Sequence, residues 1–501
     1  MIVSHDLGTT GDKATLVSND GVLVASVTAR YDADFGADGR AEQDPHDWWR
    51  AMCEAGRELL ERTGTPATSI DAVSFSGQMM GVVPVDIHGE LVRPAMIWAD
   101  TRSRAQCALL IDRVGMDRGY AVTGHRLNPT YSLPKLMWLR DNEPEAFARI
   151  DKTLQAKDYL AYRLTGVQIT DRSDASGTNA YDQLGGEWSD ELLAAAGVDR
   201  ALFPEIVEST TVIGTVRADV AAEVGLAAGT PVVIGGGDGP MAALGAGIID
   251  PSSGAYAYLG SSSWVSVSAE VPLLDPLMRS MTFNHVIPGR FVPTATMQTG
   301  GASLQWITDT LSPAQADRYA ELLGEAAAAE AASEGLYFLP HLLGERSPYW
   351  NPNARAAFVG IHMHHGRGHL TRAVLEGVAF NLYTGIRAFL DNGVAVGHID
   401  AIGGAANAGL LLDIFADTWG VPVSARDLID EAGSVGAAVV AGVGVGVFDD
   451  FDATLGFSTR ASSRTPDMAR HAASRAEYAE FLDAYARLEP WFDTTADARR
   501  G

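Results

Sequence analysis

The feature that most constrains this 501-residue chain is a theme it repeats: a short apolar strand that ends in a glycine-rich loop of small hydroxyl or amide side chains. It opens the chain, where Asp6-Leu7-Gly8-Thr9-Thr10-Gly11-Asp12-Lys13 closes the first strand. It recurs at Gly254–Ala269 (GAYAYLGSSSWVSVSA), and again where His398–Ile402 runs into Gly403-Gly404-Ala405-Ala406-Asn407. Another apolar strand, Pro231–Gly235, leads into Gly235-Gly236-Gly237-Asp238-Gly239. Strands alternating with helices predict an α/β architecture with its active groups at strand ends. The recurrence predicts two related domains, residues 1–245 and 246–490, with loops converging on one cleft. A frayed tail is expected over 491–501.

Local signals fill in the frame. Asn19-Asp20-Gly21 between apolar runs is a hairpin turn. Pro45 starts a helix through Trp48, Trp49, Met52 and Leu59. The strand Ala72–Ser76 ends in Gly77-Gln78-Met79-Met80-Gly81. Trp98 to Phe203 reads as mainly helical, and further helices are predicted at Pro240–Gly247, Leu370–Leu390 and Ser474–Leu488. The Ala-rich stretch Glu325–Ser333 reads as helix because Ala is the strongest helix former.

Charge narrows the partners. With 37 Lys and Arg against 63 Asp and Glu, the net charge is −26. Such a surface repels nucleic acid and anionic lipid, so neither is an expected partner. Two cysteines, Cys53 and Cys107, cannot build a disulfide framework and read as reduced and structural. The N-terminus lacks the pattern of a signal peptide, and no apolar run reaches the ~20 residues that span a bilayer. The expected location is the cytoplasm.

The loops carry the chemistry. In the first, glycines permit a tight turn with inward N–H groups, Thr9 and Thr10 offer hydroxyls, and Lys13 adds a positive charge beside Gly11. That is a phosphate cradle, although a hairpin with a capping Asp has the same pattern, and neither a P-loop nor a GxGxxG fingerprint is present. An Asp beside phosphate calls for a divalent cation, which makes Asp6 the metal-side candidate. Gly260 and Ser261 belong to a second candidate cradle. Gly404, Ala405 and Asn407 lie in a third loop, where small residues let a base or ribose approach the backbone. Asp238, reachable among glycines at the end of an apolar strand, is the candidate general base, a position that equally suits a helix N-cap. A substrate wall is assigned to Gln78, Met79, Met80, Trp98, Asp100 and Arg102, which also read as an ordinary strand end and core. His362, His364, His365 and His369 lack ligand spacing and an HExxH motif, so no metal centre is assigned to them.

Taken with their neighbours, these loops resemble the FGGY carbohydrate kinase family, and within it the xylulokinases most. DLGTTGDK resembles the family's first phosphate loop. EQDPHDWW, SGQMMG, RPAMIWADTRS, LPKLMWLRDNEPEAF, KDYLAYRLTG, TDRSDASGT, GGGDG, LPHLLGERSPYWNP and AAFVGIHMHHGRGHLTRAVLEG follow in family order. The resemblance implies an actin-like, ribonuclease-H-like duplicated fold, with ATP and Mg2+ in a cleft between a sugar domain and a nucleotide domain. It implies phosphorylation of a ketose's terminal hydroxyl, D-xylulose to D-xylulose 5-phosphate, with Asp238 as base and Asp6 near Mg2+. Thr9, Thr10, Lys13, Gly260 and Ser261 fall in the phosphate loops, and Gly404 and Ala405 in the adenosine loop. Met79, Met80, Asp100 and Gly239 fall at sugar-contact positions, and by analogy a homodimer is expected. The departures lie mainly on the sugar side: Met80 replaces the usual His, Gly239 the usual Asn, and Trp98-Ala99-Asp100 the usual Trp-Asn-Asp. Each removes a polar side chain, so another ketose, a polyol or a sugar acid stays open as substrate. An actin-like ATPase of another kind and a silent sugar-binding regulator also stay open.

Overall fold

The computed structural model describes residues 1–312, 318–427 and 430–500. Strands β1 (Ile2–Leu7), β2 (Gly11–Val17) and β3 (Leu23–Arg30) form an antiparallel meander. Helix α1 (Pro45–Thr63) then crosses over to β4 (Ala72–Gly77), which pairs parallel to β1. After a largely helical insertion that includes α2 (Ala156–Thr165), strands β5 (Val212–Thr215) and β6 (Pro231–Val233) complete the sheet in the order β5-β6-β4-β1-β2-β3, and α3 (Asp238–Gly245) follows.

The second half repeats the plan. Strands β7 (Ala255–Leu259), β8 (Ser263–Val267), β9 (Met281–Asn284) and β10 (Phe291–Met297) are antiparallel neighbours. Helices α4 (Gly301–Leu311), α5 (Arg318–Ala327) and α6 (Arg367–Asp391) lead to β11 (Ile399–Ile402), parallel to β7. Helix α7 (Gly409–Trp419), β12 (Val423–Arg426), α8 (Ala432–Gly444), β13 (Arg460–Arg464) and α9 (Met468–Arg500) complete it. The sheet order is β9-β10-β8-β7-β11-β12-β13. Strand for strand, β10-β8-β7-β11-β12 repeats β3-β2-β1-β4-β6. This is the duplicated, actin-like fold that the resemblance implies. The duplication reaches the turns: Gly8-Thr9-Thr10 joins β1 to β2, and Gly260-Ser261-Ser262 joins β7 to β8.

The sequence explains the layering. Strand β4 is buried along its whole length, so even the serines that alternate with Val73 and Phe75, Ser74 and Ser76, lie inside the protein. Helix α1 is capped by the Asp44 side chain, begins with Pro45 and ends at Gly64 with φ 63°. Its inward face carries Trp48, Trp49 and Met52, which pack with Phe75 and Leu160 into one core. Phe338, Phe389 and Phe415 centre the second. Between the halves, α3 packs on α8 through Met241, Leu244, Val435 and Val439. A Cβ at Gly436 would lie 2.2 Å from the Met241 carbonyl oxygen, so glycine is what lets these backbones touch.

Two expectations are corrected. The Ala-rich stretch is helical only to Ala327; beyond it Ala329, Ala331 and Ala332 are buried, and the Ala332 N–H donates to the Glu376 carboxylate at 2.9 Å. Docking of these alanines overrides their helix propensity. The tail is helical through Arg500, because Phe492, 1% exposed, packs with Phe481 and Tyr485 against Tyr337 and Leu339. Gly501 lies outside the described residues. Cys53 and Cys107 are buried free thiols, with burial pushing each up to about 12. Among the described residues, no helix is long and apolar enough to cross a membrane.

Candidate active site

Residues of both halves line a cavity of about 500 Å³. Asp6, Gly8, Thr9 and Lys13 come from the β1–β2 hairpin, Ser262 and Ser263 from its counterpart between β7 and β8, Asp238 and Gly239 from the start of α3, and Ala432 and Gly433 from the start of α8. Register places the acidic group. Asp6 lies opposite Lys13 on β2 and Ser76 on β4, so the three share a face of the sheet at its loop end. The Lys13 ammonium reaches across to donate to the Asp430 carbonyl at 2.6 Å, linking the first loop to the second half.

Both carboxyls face the cavity, Asp6 half-buried and Asp238 open to it, and poor solvation within the cleft raises both. Desolvation pushes Asp6 up, with the Ser76 hydroxyl and Lys13 opposing. Asp238 is pushed up to about 7, first by desolvation and second by the charge of Asp6, while the Gly239 N–H, donating at 2.8 Å, opposes. Among the described residues, neither carboxylate is in an ion pair. Two carboxyls in the cavity beside hydroxyl-bearing loops, only Asp6 of them partly offset by Lys13, are the hard oxygen donors that Mg2+ prefers, so this set fits a divalent cation. The backbone at Gly433 approaches closely: a Cβ there would lie 2.7 Å from Asp6 Oδ2.

The opposite wall is apolar. Met79 and Met80 line it with Trp98, Met281 and Phe283, and the Trp98 indole N–H donates to Thr9 Oγ1 at 2.9 Å. Met80 holds φ at 65°, a conformation disfavoured for a residue with a side chain. Lys135, fully buried on the helix Ser132–Asn142, holds it there: Nζ donates to the carbonyls of Met80 (2.9 Å), Ile97 (2.7 Å) and Thr130 (2.6 Å). Gly239 opens on free space, with no atom within 4 Å of where a Cβ would stand.

Three wall candidates lie elsewhere. Gln78 is buried behind the first loop, donating to Gln43 Oε1 at 2.8 Å, and Gln43 in turn donates to the Thr9 carbonyl at 2.7 Å. It buttresses the loop instead of lining the cavity. Asp100 is fully buried and pairs at 2.6 Å with Arg102, which also bonds Glu42 and stacks on Trp138. An Asp and an Arg two residues apart satisfy each other, so neither lines the cavity.

Thr10 is exposed at the tip of the first loop, and Gly11 begins β2. Gly260 and Ser261 form the second turn beside Ser262, and Gly404, Ala405 and Asn407 form a short 3-10 turn after β11. The second and third loops meet at the start of α4: the Gly301 N–H donates to the Gly260 carbonyl at 2.8 Å, and Gly301 abuts Ala405.

The histidines gather around Glu334, with Nε2 of His364 at 3.0 Å and of His365 at 3.4 Å. His365 and His369 each accept a backbone N–H at Nδ1, which keeps the ring proton on Nε2, the atom a metal would need. These tautomers oppose ligation through Nε2 of His365 and His369, while His364 Nε2 is the one within hydrogen-bond distance of Glu334, at 3.0 Å.

Sequence reasoning missed Lys135 and Arg346. A lysine inside the apolar run LPKLMWL was a usable signal for the first. Arg346 lines the cavity near Trp98, its guanidinium carbon 5.9 Å from the ring, with Nε buried and unpartnered. Nothing in its local sequence points there.

Comparison with known proteins agrees with this geometry. Residues 1–245 match the N-terminal domain of the FGGY family of carbohydrate kinases, and residues 255–445 match its C-terminal domain. The chain is 33% identical to the xylulose kinase of Escherichia coli (strain K12) over 98% of its own length and 99% of that protein. It is 29% identical to the gluconokinase of Bacillus subtilis (strain 168), over 99% and 98%. The crystal structure of ligand-bound xylulose kinase from Lactobacillus acidophilus matches with a TM-score of 0.93 at 26% identity, covering 99% of both chains. In sequence and in fold, the chain belongs to the FGGY family of carbohydrate kinases.

Proposed function

We propose that this kinase transfers the γ-phosphoryl group of ATP to the terminal hydroxyl of an open-chain ketose, converting D-xylulose to D-xylulose 5-phosphate. The observation that carries the reading is that Asp238 lines one cavity with Asp6, Thr9, Lys13 and the Ser262–Ser263 turn. Residues 1–245 supply the sugar side and residues 246–490 the nucleotide side. Asp238 takes the hydroxyl proton as that oxygen bonds to the γ-phosphorus, the bond from phosphorus to the bridging oxygen breaks, and ADP leaves. A carboxyl raised to about 7 suits a base working near neutral pH. Thr9, Thr10, Gly11, Lys13, Gly260 and Ser261 cradle the phosphates, and Gly404, Ala405 and Asn407 face the adenosine. Asp6 would hold Mg2+, which when bound neutralises phosphate charge. Met79, Met80 and Trp98 present an apolar face to the sugar's C–H surface, beside Gly239.

An acceptor screen over pentuloses, hexuloses, polyols and aldonates tests this, with the phosphate position assigned by NMR. Transfer to D-xylulose at O5, abolished in Asp238→Ala with ATP binding retained, is the expected result. Turnover by Asp238→Ala near the parent rate would remove Asp238 as base. A second reading, phosphorylation of a sugar acid, is favoured by Arg346 at the sugar wall, whose buried Nε has no hydrogen-bond partner among the described residues. Preference for an aldonate over every ketose would select it.

A further inference from the structure

Behind the catalytic loop lies a fully buried group of charges that the transfer step leaves unused. Lys157 Nζ is 2.6 Å from Asp158, 3.0 Å from Asp171 and 3.2 Å from Asp174, and all four side chains are 0% exposed. Burying so many charges is costly unless close pairing and further hydrogen bonds offset it. The contacts lead in one direction. Asp171 Oδ2 accepts hydrogen bonds from the hydroxyls of Ser173 (2.5 Å) and Ser209 (2.7 Å). Ser173 Oγ in turn accepts the N–H of Gly237, the residue before Asp238, at 2.9 Å.

The polarity of this chain is fixed at its far end. A carboxylate paired with Lys157 can only accept, so the Ser173 proton goes to Asp171 and its lone pair is left to face Gly237. The Gly236–Gly237 segment also pairs with β4 at Ser76 and Gly77, and Ser76 pairs with Asp6 on β1. The backbone that presents Asp238 is thus held from one side by the sheet carrying Asp6 and from the other by Ser173.

We infer that Ser173, oriented by the buried Lys157–Asp171 pair, is a positioning residue that clamps the Gly235–Gly237 loop and aims Asp238 at the acceptor hydroxyl. This rests on the reading of Asp238 as base. Misplacement of a reacting group by about 1 Å costs up to about 100-fold in rate, and the effect falls on turnover because Ser173 touches neither substrate.

The test compares Ser173→Ala, Ser209→Ala and Asp238→Asn in a coupled ADP-release assay, with thermal melts alongside. Ser209 donates to the same Asp171 oxygen, and its carbonyl accepts the Gly235 N–H at 3.1 Å, a backbone bond that Ser209→Ala keeps; its side chain has no bond to the loop, so the variant controls for damage to the buried cluster. The expected result is a kcat loss of about 10–100-fold in Ser173→Ala. Its KM for ATP and for sugar should stay within about threefold and its folded fraction at the assay temperature should be unchanged, while Ser209→Ala keeps near-parent turnover. Parent-like kcat in Ser173→Ala, an equal loss in Ser209→Ala, or a loss that tracks unfolding would overturn the inference. Asp238→Asn separates the two claims: if it turns over normally, the reading of the base fails; if it is dead while Ser173→Ala is normal, only the clamp fails.

Discussion

Replacing Lys135 with methionine probes how the apolar wall of the cavity is held. The lysine donates to three carbonyls at 2.9, 2.7 and 2.6 Å and is fully buried. Methionine keeps most of the stem's volume but removes the donor from the Met80 and Thr130 carbonyls, while Ile97 still accepts the Asp100 N–H at 3.0 Å. Each orphaned buried group costs about 1–3 kcal/mol. Relief from burying an ammonium, whose pKa burial pushes down to about 7, offsets part of that sum. The balance is a loss of about 3 kcal/mol. There is a second consequence. Met80, at φ 65°, loses the bond that holds its carbonyl, and release from the left-handed region gains about 1–2 kcal/mol. The Met79–Met80 wall should therefore relax, raising the KM for sugar about tenfold, equivalent to about 1.4 kcal/mol. The ATP loops lie on other elements, so the KM for ATP should hold. Urea unfolding followed by tryptophan fluorescence reads the first effect, and initial rates with each substrate varied read the second. A destabilisation under about 1 kcal/mol, or an equal rise in both KM values, would refute this account of Lys135.

Other outcomes follow from the same geometry. Turnover should fall as pH drops through about 7, because Asp238 must be ionised to accept a proton; a pH–rate profile flat from pH 5 to pH 8 would contradict it. The same shift gives a stability prediction. A carboxyl whose folded pKa is raised binds more protons folded than unfolded, so stability falls as pH rises from about 4 to about 7. Asp238→Asn should therefore melt higher than the parent at pH 8 and show no such gain at pH 4, as calorimetry can test. Gly433→Ala puts a Cβ 2.7 Å from Asp6 Oδ2 and should raise the Mg2+ concentration needed for half-maximal rate, leaving the melting temperature within a few degrees. Micromolar Zn2+ should not raise the melting temperature, because the tautomers of His365 and His369 oppose ligation; a rise abolished by His364→Ala would overturn that argument.

What was legible in the sequence is what repeats or is local. LGTTG and LGSSS announce the duplicated hairpins because a three-residue turn between strands leaves few residue choices, and the fold follows from finding them twice. Asp238 and Asp6 could be placed because carboxylates at glycine-rich strand ends lie at the loop end of a sheet, and both line the cavity there. The wall was not. Gln78, Asp100 and Arg102 have the chemistry of sugar contacts, but polar side chains close in sequence satisfy one another before any ligand arrives, as Asp100 and Arg102 do.

The residues that shape the wall come from far along the chain, Lys135 from an insertion helix and Arg346 from the second half, and a donor's reach across such distances leaves no local pattern. This bears on substrate choice. On the proposed reading, the parts that handle phosphate lie in the short repeated loops. On that reading the sugar-facing parts are assembled from long-range contacts, where Met80 and Gly239 offer no polar side chain and Arg346, beside the Trp98 ring, keeps a buried Nε without a hydrogen-bond partner among the described residues. A cavity wall whose guanidinium keeps a buried Nε without a hydrogen-bond partner discriminates chiefly through the oxygen that this group meets, since leaving it unsatisfied is the larger penalty. Arg346→Met should thus compress the difference in kcat/KM between the best acceptor and its neighbours, more than it lowers turnover of the weakest. An unchanged ranking and spread of acceptors in that variant would show that the specificity resides elsewhere, in the methionines and Trp98.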